Sequence, residues 1–238
     1  LALTQPAIAR LHLAHDMRQA IAMSGVGGSS RSFPAIATGL RLGTVALADL
    51  RAPVLPNRSP SPAGPGADGL LGISVLRQFD IDLDVPHRRM ALYRGRPCAD
   101  TPLPMPGPAT SLETAITQPA QHLALRVDLD GRPRLAMLDT GARRSLVTER
   151  ATALAPAVLA ADHPITLTGV GPATATARLH RFATLMIGSD QVRDPYLIVL
   201  DDPELEFDIV LGMDYLQLRR MFISFSTNRL YIQRPPAH

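Results

Sequence analysis

Leu135-Ala136-Met137-Leu138-Asp139-Thr140-Gly141-Ala142-Arg143-Arg144-Ser145-Leu146-Val147-Thr148 reads as an apolar strand that delivers one carboxylate into a tight turn and leaves it as a second apolar strand. Gly141 lets the backbone fold sharply and approach the carboxylate, where a side chain would obstruct it. Working back from Asp139, residues 122–138 read as a hairpin. Its Asp130-Gly131 pair supplies the turn, and its second arm ends at the aspartate. Working forward, a helix is expected from Glu149 to Leu159 after Thr148, and an equivalent one from Gln5 to Ala14 after Thr4, each threonine serving as an N-cap.

The chain says nearly the same thing twice. Leu1-Ala2-Leu3-Thr4 matches Ser145-Leu146-Val147-Thr148, and Gly25-Val26-Gly27 matches Gly169-Val170-Gly171, both displaced by 144 positions. Leu42-Gly43 matches Ile187-Gly188, and Leu70-Leu71-Gly72 matches Val210-Leu211-Gly212, displaced by 145 and 140. Each copy then closes with two strands, 79–84 with 92–93 and 221–226 with 230–232. The expected organisation is a first repeat over 1–97, a proline-dense linker over 98–112 and a second repeat over 113–238. Only the second repeat contains an Asp-Thr-Gly. Since Asp139 precedes Ser145 by six residues, its counterpart is expected six positions before Leu1.

Composition supports many short strands. The 238 residues include 22 prolines and 17 glycines, with abundant Val, Thr and Leu. Pro56 to Asp68 is expected to be a mobile surface loop, and 98–112 an extended connection, since proline cannot donate to a ladder. All 24 basic residues are arginine and are scattered; against 21 acids the net charge is +3, which argues against a nucleic-acid surface. One cysteine, Cys98, excludes an internal disulfide. No apolar run approaches the roughly 18 residues of an integral membrane segment. Seven histidines show no metal-ligand spacing, so neither a metal nor a cofactor is expected.

The ordered set of Leu138-Asp139-Thr140-Gly141-Ala142, Gly169-Val170-Gly171 about thirty residues later, and Val210-Leu211-Gly212-Met213-Asp214-Tyr215-Leu216 resembles the retropepsin-like aspartic proteases, particularly bacterial members with two such repeats in one chain. The resemblance implies an all-β, bilobal acid-protease fold of two retropepsin-like β-barrel lobes with a cleft between them. It also implies an endopeptidase acting on an extended polypeptide. Asp139 would be half of a catalytic dyad, Thr140 would bond across to the partner lobe, Gly141 would shape the turn, and Ala142 would lie near the substrate backbone. Gly25, Val26 and Gly27, with Gly169, Val170 and Gly171, would form flaps that close over substrate. An exported or periplasmic location is what the resemblance favours. Two carboxylates sharing a proton can deprotonate a water and protonate a carbonyl oxygen at one centre, which a lone aspartate cannot.

Three arrangements follow. The second aspartate lies upstream and the lobes form a pepsin-like monomer, or the Asp139 lobes of two chains pair in a homodimer, or the chain is a non-catalytic peptide-binding or assembly module that has lost one acid. Other acids read as ordinary. Asp80, Asp82 and Asp84 alternate with Phe79, Ile81, Leu83 and Val85 as a solvated strand face, and Asp214 reads as a local helix cap.

Overall fold

The structure, a computed structural model, describes residues 1–57, 64–94, 103, 105, 107–118 and 121–233. Cys98, most of the proline-dense stretch, and residues 58–63 of the loop from Pro56 to Asp68 lie outside the described residues. The fold is all-β, with 47% strand and 11% helix, so every helix is a short connection between ladders. The chain divides into two compact units: Leu1–Val75 with Thr166–Thr176, and Leu76–Ile165 with Ala177–His238.

In the second unit the chain forms a continuous ladder. Its neighbours in order are Arg89–Tyr93, Asp80–Asp84, Arg220–Ser224, Arg229–Gln233, Ala109–Ile116, Leu123–Leu129, Arg132–Leu138, Ile209–Leu211, Leu146–Thr148, Tyr196–Leu200 and Thr174–Arg181. Among the described residues these pairings trace an open path and not a closed barrel. The hairpin of Leu123–Leu129 with Arg132–Leu138 forms as its sequence dictates: Leu129 pairs with Arg132, and Asp130 and Gly131 take φ of 50° and 76°, the left-handed values that a two-residue turn of this hand requires. Its alternating side chains Leu123, Leu125, Val127 and Leu129 are buried, and Leu185, Ile187, Ile209, Leu211, Leu216, Met221, Leu230 and Ile232 fill the same core. The strand Ala109–Ile116 begins inside the stretch read as linker.

The first unit is built of two-stranded pieces around a small core of Leu3, Ile8, Ala35, Ala37 and Ala52. Elements of the first repeat recur in the second. Gly69–Leu70, Ile73–Leu76, Asp80–Asp84 and Arg89–Tyr93 correspond to Ile209–Leu211, Met213–Leu216, Arg220–Ser224 and Arg229–Gln233, each displaced by 140 positions. The strand set beside 221–226 from its sequence, 79–84, thus aligns with Arg220 at Asp80 and not with Phe222. The registers recur too: Ala2 pairs with Leu70 and Leu3 with Gly69, as Leu146 pairs with Val210 and Val147 with Ile209.

Both expected helices are shorter than their sequence pattern. Gln5–Arg10 starts at Thr4, whose hydroxyl accepts from the Ala7 N–H at 3.3 Å. The second is broken into Glu149–Thr152 and Pro156–Ala160: Ala153 is left-handed at φ 56°, and proline disfavours helical backbone at Ala155. The Thr148 hydroxyl makes no cap and donates to the Asp208 carbonyl at 3.4 Å.

The alternating acids are not a solvated face. Asp82 is 2% exposed and takes a bidentate pair from Arg220, at 2.9 Å from Nε and 2.6 Å from a terminal nitrogen. Asp80 accepts from the Ser226 amide and from the hydroxyls of Ser224 and Ser226, and Asp84 meets His87 at 2.8 Å. The contacts of Asp80 and Asp82 follow from the antiparallel pairing of Asp80–Asp84 with Arg220–Ser224, which puts a second strand where solvent was expected. Removing the cation leaves an uncompensated buried carboxylate, so Arg220→Met is expected to cost about 3 kcal/mol in chemical denaturation. A loss below about 0.5 kcal/mol would contradict this account of the sheet.

In the first unit, Asp16 is 4% exposed and faces Arg18, which donates from its backbone N–H, Nε and a terminal nitrogen at 2.8 to 3.1 Å, and Arg51 Nε at 2.9 Å. Hydrogen bonds from Arg18, joined by the charge of Arg51, hold the Asp16 carboxyl well below the usual carboxylate range. A depressed folded value means that the stabilisation is complete above the unfolded value of 3.8 and is lost as pH falls through the folded one. The stability difference between wild type and Asp16→Asn should therefore be constant from neutral pH to about pH 5 and shrink below pH 4. A difference that stays constant down to pH 2 rejects the assignment.

Candidate active site

The turn at Asp139 is placed by a strand insertion. Ile209–Leu211 lies between Arg132–Leu138, with which it pairs in parallel (Ala136 to Ile209, Leu138 to Leu211), and Leu146–Thr148, with which it pairs antiparallel. The chain therefore runs up one side of Ile209–Leu211 and down the other, and residues 139–145 must arch over its end. The Asp139 N–H donates to the Leu211 carbonyl at 3.0 Å, which carries the parallel ladder to the aspartate itself.

The turn is held from within and from below. The Gly141 N–H donates to Asp139 Oδ1 at 2.8 Å, and the Ala142 N–H to the Asp139 carbonyl at 3.3 Å. A Cβ on Gly141 would stand 3.0 Å from Asp139 Oδ1, tight enough to displace the carboxylate. Asp139 is half-buried, and its Oδ2 has no hydrogen-bond partner among the described residues. One oxygen is thus fixed by the protein and one is left for a ligand or water. Thr140 and Gly141 are exposed and Ala142 is half-buried.

Below the turn, Gly212 closes the approach: a Cβ there would lie 2.6 Å from the Arg144 carbonyl carbon and 2.9 Å from the Ala142 oxygen. The Met213 N–H donates to that Ala142 oxygen at 2.8 Å. Asp214 is not the expected helix cap. Gly212 occupies the N-cap of Met213–Leu216, and the Asp214 carboxylate accepts from the Ser145 N–H at 2.9 Å and from the Ser145 hydroxyl at 2.7 Å. Ser145, 2% exposed, in turn accepts from the Gly212 N–H at 2.9 Å. The sequence suggests for Asp214 only a cap and for Ser145 no role. The available signal was a small polar residue starting an otherwise apolar strand and an acid two positions after the glycine of the supporting motif.

The helix carrying Asp214 has its own anchor. Tyr215 donates to Asp190 at 2.9 Å, Arg219 Nε reaches the same oxygen at 2.7 Å, and the guanidinium lies 3.8 Å over the Tyr215 ring. Burial pushes the Tyr215 phenol above its ordinary range, which keeps it a donor to Asp190.

The two glycine-rich segments meet in the first unit. Ile21–Gly25 and Gly28–Ser32 form a hairpin whose tip is Val26-Gly27, with Gly27 at φ 91°. Residues 169–173 form the corresponding tip between His163–Thr168 and Thr174–Arg181. Backbone meets backbone there: the Gly171 N–H donates to the Val26 carbonyl at 3.0 Å and the Ala173 N–H to the Gly27 carbonyl at 2.9 Å. A Cβ on Gly171 would fall inside contact distance of Gly27 and Gly28, one on Gly27 inside that of Ala173, and one on Gly169 2.6 Å from Val26. The structure therefore brings Gly25, Val26 and Gly27 together with Gly169, Val170 and Gly171, and separately gathers Asp139 to Ala142 in the other unit. Among the described residues no group of three or more His, Cys, Asp or Glu is placed to hold a metal ion.

Residues 125–215 match the model of a family described as aspartyl protease. The crystal structure of a retropepsin-like aspartic protease from Rickettsia conorii is similar over 52% of this chain and 91% of its own, at 17% identity and a TM-score of 0.40. A comparison with curated proteins finds no match.

The contact of the two tips gives a direct test. Gly171→Ala should separate them and speed amide hydrogen exchange at position 171 and at Ala173 about tenfold, matching the loss of hydrogen bonds each contributing about 1 kcal/mol, with the Leu123–Leu129 amides unchanged. Unaltered protection at Ala173 would mean that the tips do not depend on one another.

Proposed function

From the match of residues 125–215 to the aspartyl protease family, we propose that this chain is an aspartic endopeptidase that hydrolyses peptide bonds of an extended polypeptide, with Asp139 as one of two carboxylates activating water. The observation carrying this reading is the state of Asp139 itself. It stands at the end of a parallel ladder, with Oδ1 fixed by the Gly141 N–H and Oδ2 unpartnered among the described residues.

In the proposed reaction one carboxylate takes a proton from water as it attacks the scissile carbonyl carbon, and the other, protonated, gives its proton to the carbonyl oxygen. Breakdown of the tetrahedral intermediate returns a proton to the leaving amine and cleaves the C–N bond. Like charges this close cannot both ionise, so the pair holds one proton between them. Thr140 is proposed to brace the turn against its opposing counterpart, and Ala142 to lie along the substrate backbone. The tips at 25–27 and 169–171 are proposed as flaps that cover the bound peptide and exclude water.

The 238 residues contain one Asp-Thr-Gly, so the opposing carboxylate belongs to a segment outside them or to Asp139 of a second copy. Two observations favour a tandem repeat whose halves work as a pair. Elements and registers recur at displacements of 140 to 145, and Asp80–Asp84 pairs with Arg220–Ser224 so that Asp82 faces Phe222, its own equivalent. Such a register maps onto itself when the repeats exchange, as in an isologous contact. Both proposed flap tips are supplied by one chain, which supports a monomeric pair of repeats over a homodimer.

Cleavage of an unfolded protein should be blocked by pepstatin and fall on the order of 10³-fold in Asp139→Asn at unchanged melting temperature. Equal activity in wild type and Asp139→Asn would reject the catalytic assignment. A wild-type chain that binds extended peptides without cutting them would instead support the non-catalytic module.

A further inference from the structure

We infer that Asp214 and Ser145 are positioning residues for Asp139, fixing the arch of the Asp-Thr-Gly turn over the end of Ile209–Leu211. This rests on the reading of Asp139 as a catalytic carboxylate. The backbone contacts alone leave the arch secured on one flank: Asp139 is tied to Leu211, and Ala142 to Met213. From Ala142 the chain must return to Ser145, and the two residues between, Arg143 and Arg144, are exposed and lack hydrogen bonds or ion pairs among the described residues. Ser145 is where the returning chain is recaptured.

The capture uses every polar atom that Ser145 offers to its neighbours across the turn. Its hydroxyl accepts from Gly212 and donates to Asp214, and its N–H shares both Asp214 oxygens at 2.9 Å. The carboxylate also takes the Tyr215 N–H at 2.9 Å. A charged acceptor with these donors is stiffer than a neutral one, and its helix is itself held by Tyr215 and Arg219 through Asp190. The geometry at Gly212 then transmits position: the turn backbone at Ala142 and Arg144 rests where a methyl group would not fit, so movement of 145 is felt at 142.

The same place in the first unit shows what the acid adds. Ser74, 140 positions before Asp214, accepts from the terminal ammonium of Leu1 at 3.1 Å, and Leu1 stands where Ser145 stands in the sequence match. A neutral hydroxyl there takes the place of the carboxylate, and a leucine that of the serine whose hydroxyl reaches back to the glycine.

The test separates positioning from mere stability. Ser145→Ala and Asp214→Ala should each lower kcat tenfold or more with KM within about twofold, since a misplacement on the order of 1 Å can cost on the order of 10² in rate. Asp214→Asn keeps an acceptor oxygen for the Ser145 hydroxyl and amide and should recover to within about threefold of wild type. Amide exchange at Gly141 and Ala142 should rise about tenfold in Asp214→Ala, with the Leu123–Leu129 amides unchanged. Variants that lose melting temperature yet keep kcat, while Asp139→Asn remains inactive, overturn this inference and leave the proposed function standing. If Asp139→Asn matches wild type, the proposed function fails first. Unchanged exchange at Gly141 in Asp214→Ala overturns the positioning role whatever the activity.

Discussion

The placement of one strand between the arms of another chain reversal is the constraint on which the rest of this site depends. Because Ile209–Leu211 separates Arg132–Leu138 from Leu146–Thr148, the connection at 139–145 cannot be a simple hairpin turn. It has to span a strand, and at the spacing of neighbouring strands, about 4.8 Å, the span is about 10 Å. That distance must be crossed while the backbone stays close enough to the strand end to satisfy its donors. Gly141 and Gly212 are the positions where this close approach leaves no room for a side chain. The unpartnered oxygen of Asp139 is a consequence: a carboxylate at the crest of an arch whose other oxygen is already committed to the turn.

The glycine tips obey a different physics from the core. The strands of the second unit are secured by buried apolar faces, Ile209, Leu211, Leu230 and Ile232 among them, each at 1% exposure or less. The contact between residues 26–28 and 169–173 is made almost entirely by backbone, through two hydrogen bonds and close glycine packing. With net contributions of about 1 kcal/mol per hydrogen bond, such a contact is ordered yet easily parted. That balance suits a segment proposed to open for a polypeptide and close over it, whereas an apolar zipper of the same length would hold it shut.

Features specified by neighbouring residues were legible in the sequence. Asp130-Gly131 declared its hairpin because only such residues accept left-handed backbone at both turn positions, and Asp139-Thr140-Gly141 declared the turn that follows. The two helices were legible at their starts and illegible at their ends, since Ala153 carries no sign of the left-handed conformation that stops the first turn after Thr148. Long-range pairing was hidden. Asp82 alternates with apolar residues like any exposed acid, and what buries it is Arg220, 138 positions away. Asp214 looked like a cap because it opens a helix, but its partner is Ser145, 69 positions earlier, brought close by the inserted strand. The strand bounds put Asp80–Asp84 and Arg220–Ser224 at a displacement of 140, which the apolar pattern alone could not specify because hydrophobicity repeats every two residues and cannot distinguish shifts of that size.

The central claim is that Asp139 is half of a carboxylate pair that handles water at a scissile bond. The most direct measurement is a crystal structure of the chain bound to a peptide isostere whose central hydroxyl replaces the tetrahedral intermediate. The account predicts the hydroxyl oxygen about 2.5 to 3.0 Å from Asp139 Oδ2, with a second carboxylate in reach on its other side. An isostere bound elsewhere, or a hydroxyl that meets Asp139 with no opposing acid, would contradict it.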